Sequence, residues 1–334
     1  MTSATCSRFR GFLVSAVAAV LGVLTQVSTV AAQSWNFYTY MPAPNAAFKR
    51  IAVMLEDITK ASDGKLVFRT HMGGSLQISS ANITAAVADN VVQLGDDSFF
   101  VGAVPIGGLI KLPLLVRSYE EFAEASKIMD PYLVEAFKKR GVVLLGKYHY
   151  PAAVLWSTKK LTSSSDLKGQ KIRLTVPEQA EFLKLFGATG ITMGTAEVAP
   201  ALQRGVIDGV ITASAGGGVL WKDLLKYNHR FNISYSDSVL LANAEAFEKL
   251  APDIQAKVRS VVAEALPAVT QTMRDDEEAL TKKFAADGMI ITMPKPEEVS
   301  DVARRIVPIW ESWARARGPE AVDALAKVRQ RLGR

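Results

Sequence analysis

With 334 residues, 49% of them hydrophobic and 22% charged, the chain has room for two full cores and lacks the polarity of a disordered one. Its 39 Lys+Arg against 33 Asp+Glu are spread along the sequence, with no basic stripe interleaved with aromatics, which excludes nucleic acid as a partner. The modest positive balance suits a small anionic ligand.

Residues 1–32 read as a signal peptide. Arg8 and Arg10 form a basic start, Gly11 to Leu24 an apolar run of 14 residues too short to span a bilayer, and Val30-Ala31-Ala32 a small-residue cleavage site. A periplasmic protein is therefore expected. The one cysteine, Cys6, precedes the apolar run, so neither a lipid anchor nor a disulfide is expected in the mature chain. Removing Arg8 and Arg10 leaves 37 basic against 33 acidic residues, a net charge of +4. No later apolar run approaches the ~18 residues of a membrane span, so the mature chain is not expected to cross one.

Trp35 to Tyr40 has the aromatic alternation of a strand, and Asn45 caps a helix whose Ile51, Leu55 and Ile58 form one stripe. Lys65 to Thr70 is a second strand, a helix passes through Ile83 and Val87, and Val91 to Gly95 is a third strand. This β-α-β-α-β order predicts a parallel sheet flanked by helices, with ligands outside the strands' carboxyl ends. Those ends are Tyr40 to Pro44, His71 to Gly74 and Asp97 to Phe100, which include Ser98. Gly102 to Pro113 reads as a packed apolar loop, Glu120 to Lys139 as helix, and Val142 to Trp156 as a long strand.

A second α/β unit follows. Ile172, Leu174 and Val176 alternate with Arg173 and Thr175, and Pro177 ends this strand. Glu178 to Phe186 is helical to Gly187, and the next helix opens at Thr195, its regular part starting near Pro200. Val206 to Ile211 is turn and strand, and Phe231 to Ala242, with Tyr235, another strand. Leu250 to Lys283 is one very long helix through Pro267, Gly288 to Met293 a strand, and Glu297 to Arg317 and Pro319 to Leu332 the terminal helices.

No catalytic constellation emerges. His71, His149 and His229 lack partners at metal-ligand spacing, no Gly-x-Ser-x-Gly elbow exists, and Gly216-Gly217-Gly218 lacks the ending of a phosphate loop. No enzyme, metal or cofactor is predicted. Gly216 to Gly218 reads instead as a flexible or closely approached loop. Arg173 has two readings. It is salt-bridged, with Glu178 or Glu181 as partner, or its planar fork is open to a carboxylate. Tyr40, Phe99, Trp156 and Trp221 fall near strand ends or loops, where together they form a candidate apolar ligand wall.

Several segments of the chain resemble those of a known family. Asp166-Leu167-Lys168-Gly169-Gln170-Lys171-Ile172-Arg173 resembles the DLKGxKIR segment of the DctP-type solute-binding subunits of TRAP (tripartite ATP-independent periplasmic) transporters. Phe186-Gly187-Ala188, Met193, Glu197, the run Ala201 to Gly209 and Lys226-Tyr227 continue the likeness. Gly74 to Leu76, Ile110 to Leu115 and Asn243 with Phe247 to Pro252 carry weaker echoes across the mature chain. The resemblance implies an α/β, two-lobed periplasmic binding protein. Its lobes, each a sheet flanked by helices, close like a hinge, and a long helix crosses both. The lobes are then expected at 33–157 plus about 239–278, and at 158–238 plus about 279–334. It also implies partners, a small carboxylate ligand and the integral membrane subunits of the transporter, and gives Arg173 the role of clamping the carboxylate.

The chain departs from the sialic-acid-type members. Their second arginine aligns with Ala153, and their asparagine after the DG with Thr212. A ligand needing two arginines is thus disfavoured. The expected site is Arg173, Thr212, Phe99, Ser98, Trp156, Tyr40, Trp221 and Tyr235, around an aromatic or other apolar monocarboxylate. The alternatives are a periplasmic enzyme acting on a small organic acid, and a binding protein feeding a sensor kinase.

Overall fold

The computed structural model describes residues 32–334, so the expected signal peptide lies outside the described residues apart from its last position. The strands are β1 (Gln33–Thr39), β2 (Leu66–His71), β3 (Leu94–Asp97), β4 (Val142–Ser157), β5 (Lys171–Leu174), β6 (Thr189–Thr192), β7 (Gly209–Thr212), β8 (Tyr227–Asn243) and β9 (Ile290–Thr292). The helices are α1 (Ala46–Ala61), α2 (Ile83–Ala88), α3 (Tyr119–Lys138), α4 (Ala180–Lys184), α5 (Thr195–Gln203), α6 (Val219–Trp221), α7 (Ala244–Glu248), α8 (Pro252–Ala286), α9 (Pro296–Arg317) and α10 (Pro319–Leu332).

One sheet runs in the order β2-β1-β3-β8-β4-β7-β5-β6, with β9 on β8. The strands β2, β1 and β3 are parallel, as are β6, β5 and β7. Between these groups lie β8 and β4, antiparallel to each other and, at 17 and 16 residues, the longest strands. β3 pairs with the carboxyl-terminal part of β8, and β7 with that of β4. The carboxyl ends of β3 and β7 therefore approach the middle of the long pair from opposite directions. There β4 loses register between Tyr150 and Ala153 and again before Leu155. A bulge bends a strand and re-aims its side chains.

The long helix α8 has 35 residues, or about 50 Å at 1.5 Å per residue. Its buried stripe Ile254, Val258, Val262, Leu266, Val269 and Met273 packs in a core with α1 and the first strands. Its far end reaches the other group of strands. Phe284 stacks edge-on against Trp156, and Glu277 accepts from Ala215 N. This architecture, a two-lobed α/β binding-protein fold with a helix along both halves, is the one expected.

Several boundaries differ from expectation for local reasons. The third strand starts at Leu94 because Asn90 takes a left-handed conformation (φ 57°) and turns the chain there, leaving Asp96 and Asp97 inside the strand. β6 was not expected; it is a short, half-exposed edge strand containing Gly190, with little hydrophobic signal. α5 begins at Thr195 rather than near Pro200, since Glu197 folds back to accept from Gly194 N at 2.9 Å and closes the first turn.

Candidate functional site

A cavity lies where the two groups of carboxyl ends converge. Tyr40 follows β1, Ser98 and Phe99 follow β3, Tyr150 and Ala153 flank the bulge in β4, Arg173 and Thr175 close β5, and Thr212 ends β7. Gly216, Gly217 and Trp221 complete one side. The space offers about 60 Å³ to the centres of water molecules. At roughly 10–15 Å³ for each water, it holds about five, so it fits a compact molecule.

Arg173 is buried, only 2% exposed. Its Nε donates to Met193 O at 3.0 Å and its Nη1 to Thr175 Oγ1 at 3.0 Å. Thr175 passes its own proton to Ile211 O, so it is a committed acceptor for the arginine. These bonds aim the fork and leave Nη2 and part of Nη1 uncommitted. Neither expected ion-pair partner meets it. Glu178 accepts from Trp313 Nε1 and pairs with Arg317, and Glu181 pairs with Lys184. Phe99 and Trp221 stand over the guanidinium at 5.8 and 5.4 Å. Burial without a carboxylate pushes its pKa down to about 10, so it stays charged at neutral pH while desolvated.

Of the residues expected in the site, Arg173, Thr212, Phe99, Ser98, Tyr40 and Trp221 line this one cavity. Trp156 and Tyr235 do not. Trp156 is wholly buried, turned toward α8 with its Nε1 on Thr212 O, and Tyr235 packs on Tyr119 and Phe122. Tyr235 sits beside Ser236, which does line the cavity, so the alternation of a strand sends Tyr235 to the other face. Of the expected strand-end segments, 71–74 does not reach the cavity.

Sequence reading missed Tyr150. Its signal was present in Tyr148 and Tyr150, two residues apart on one strand, but the bulge after Tyr150 decides which side chains face inward. The triple glycine is closely approached. A Cβ on Gly217 would lie 2.3 Å from the Trp221 ring, and one on Gly218 2.7 Å from the Trp156 ring. These glycines let the indoles pack against the backbone.

Residues 37–316 match the family model DctP, described as bacterial extracellular solute-binding protein, family 7. The chain is 25% identical over 271 residues to the ectoine-binding periplasmic protein TeaA of Halomonas elongata, covering 76% of this chain and 77% of that one. It is 24% identical over 300 residues to the sialic acid-binding periplasmic protein SiaP of Vibrio cholerae, covering 76% and 89%. Its fold superposes with a TM-score of 0.80 on DctP7 of Bordetella pertussis, an extracytoplasmic solute receptor binding pyroglutamic acid. That match has 26% identity and covers 88% of this chain and all of the other.

Proposed function

The chain belongs to the DctP family of bacterial extracellular solute-binding proteins, the binding subunits of TRAP transporters, and from that premise we propose that it captures a compact monocarboxylic acid through Arg173. The observation that carries this reading is a buried guanidinium, facing a cavity, with no carboxylate partner among the described residues. A ligand carboxylate meeting Nη1 and Nη2 supplies the missing charge in a geometry that the planar fork favours. Because the guanidinium is buried, the pairing is stronger than in water.

Size and wall chemistry narrow the ligand. Ala153 lines the cavity at the position where sialic-acid-type members align a second arginine, which argues against a sugar acid held by two forks. The wall is not uniformly apolar. Phe99 and Trp221 cover the arginine, while the hydroxyl-bearing residues Tyr40, Ser98 and Tyr150 also line the cavity. A five-membered-ring acid such as pyroglutamate, the ligand named for the Bordetella receptor, suits this mixture better than a wholly apolar one. Small aromatic acids are the alternative.

We place the hinge in β4 and β8, near the bulge after Tyr150, rather than at residues 157 and 238, since this is where the long strands change partners. Closure about it excludes water from Arg173. In this reading the protein works in the periplasm and passes its ligand to membrane subunits. Among the described residues no helix is long and apolar enough to cross a membrane itself.

A thermal-shift screen across mono-, di- and sugar acids tests the class. A ligand at one hundred times its dissociation constant adds about 2.7 kcal/mol of stability. Stabilisation by compact monocarboxylates is expected; stabilisation confined to dicarboxylates or sialic acid would refute it. By calorimetry, Arg173→Ala and Arg173→Lys should each lose most of the affinity, about 2–5 kcal/mol.

A further inference from the structure

Behind the cavity wall lies a buried carboxylate that the capture of an acid does not require. Asp96, fully buried in β3, accepts from Ser238 Oγ at 2.5 Å, Thr39 Oγ1 at 2.8 Å and Tyr148 Oη at 3.1 Å. No cation pairs with it among the described residues. From Tyr148 the contacts continue outward. Tyr148 Oη stands 3.3 Å from Tyr150 Oη, Tyr150 Oη 2.6 Å from Tyr40 Oη, and Tyr40 Oη 3.1 Å from Ser98 Oγ.

Each hydroxyl has one proton to give. Tyr148 gives its proton to Asp96, so only lone pairs face Tyr150. Tyr150 can give its proton to Tyr148, to Tyr40 or to the weak thioether Met41 Sδ at 3.6 Å; giving it to Tyr148 is the one arrangement in which no two neighbouring hydroxyls of the chain face each other with lone pairs alone. In that arrangement Tyr150 accepts at the short contact with Tyr40, and the Tyr40 proton is committed. Ser98 in turn donates to Tyr40. Burial raises the Asp96 pKa only to about 6, so the carboxylate is mostly charged at neutral pH and holds the protons in this direction.

We propose that the ordered chain from Asp96 through Tyr148, Tyr150 and Tyr40 to Ser98 makes this corner of the cavity a hydrogen-bond acceptor, so that the ligand is a carboxylic acid that also carries an N–H or O–H donor. This rests on the reading of Arg173, which places the carboxylate at the guanidinium. A second carboxylate or an ether oxygen at Tyr40 would face lone pairs. Tyr148 and Asp96 do not line the cavity; they are positioning residues that act through Tyr150 and Tyr40.

The test uses two ring pairs that differ by N–H against O: pyroglutamate with its lactone analogue, and pyrrole-2-carboxylate with furan-2-carboxylate. Affinities are measured by calorimetry on the wild type and on Tyr148→Phe, Tyr150→Phe and Arg173→Ala. The wild type is expected to bind at least one N–H member about fivefold or more tighter than its oxygen partner. Tyr148→Phe and Tyr150→Phe each free the Tyr40 proton, and the preference should shrink to within about twofold. A merely structural Tyr148 would weaken both members alike and leave their ratio unchanged. Equal binding of both members by the wild type, a ratio that survives in both tyrosine variants, or no binding of any of the four overturns the proposal. Arg173→Ala separates the two ideas. Loss of both members of a pair upholds the carboxylate reading, whereas unchanged affinities with the ratio intact remove that reading and leave the donor requirement standing.

Discussion

Among the described residues, one lysine and one arginine are buried, and they are treated oppositely. Lys111, inside the apolar segment 105–111, is wholly buried with its Nζ 3.0 Å from Asp237 Oδ1 and 3.9 Å from the centre of the Phe100 ring. Lys111 helps to hold the Asp237 pKa below the usual carboxylate range against the opposing effect of burial. Arg173 is buried as well, yet only neutral oxygens and two aromatic rings meet it. Removing a charge from water costs several kcal/mol in either place. At Lys111 the fold supplies the counter-charge itself. At Arg173 it does not, and the unmet part is what an anionic ligand has to gain.

The largest effect that sharpens this contrast is on Lys111. Lys111→Met leaves Asp237 buried without its cation and should lower unfolding free energy by about 3–5 kcal/mol in denaturant titration. A loss below about 1 kcal/mol would break the comparison at its structural end. Next is the pair of buried acids beside the cavity. Burial raises both Asp96 and Asp97 to about 6, from about 4 in an unfolded chain. A raised carboxyl pKa means the native state holds the proton more tightly. The stabilisation each gives is thus fully present below about pH 4, is lost as pH climbs to about 6, and is flat above. The wild type minus Asp96→Asn difference in stability should fall by about 3 kcal/mol over that window, and a level difference curve would contradict it.

Smaller effects lie in the wall around the arginine. Gly217→Ala forces its Cβ against the Trp221 ring and should cost about 1–3 kcal/mol of stability while weakening ligand binding, because that ring covers the guanidinium. Unchanged affinity in this variant would mean that Trp221 is packing alone. The smallest effect is the most telling. Arg173→Ala should leave the melting temperature of the ligand-free protein unchanged or higher, since the change removes a desolvated charge that no carboxylate meets, and its two partners, Met193 O and Thr175 Oγ1, are neutral acceptors left beside the cavity.

What could be read from sequence follows the range of the interaction. The Asn45 cap on α1 and the left-handed Gly187 and Gly205 (φ 68° and 67°) are local, and so they were legible. Arg173 was legible as an anomaly, a cation in an apolar strand, and the surrounding motif gave it a role. The Lys111–Asp237 pair was hidden because its members are joined only through tertiary packing, with Lys111 inside a segment that reads as apolar loop. The same holds for Asp96. Adjacent aspartates argue against a strand interior, and only the placement of β1, β4 and β8 around β3 supplies the hydroxyls that make it tolerable. Trp156 and Tyr235 show the opposite error. Being close in sequence to cavity residues says little when successive strand residues face opposite sides.

One thermal-shift experiment tests the central claim most directly: wild type, Arg173→Ala and Lys111→Met, each alone and with the best acid from the screen. The account predicts that Arg173→Ala melts no lower than the wild type but loses the ligand-induced shift, while Lys111→Met melts markedly lower and keeps it. An Arg173→Ala protein that is destabilised like Lys111→Met, yet is still stabilised by the acid, would contradict the account and make Arg173 a structural charge.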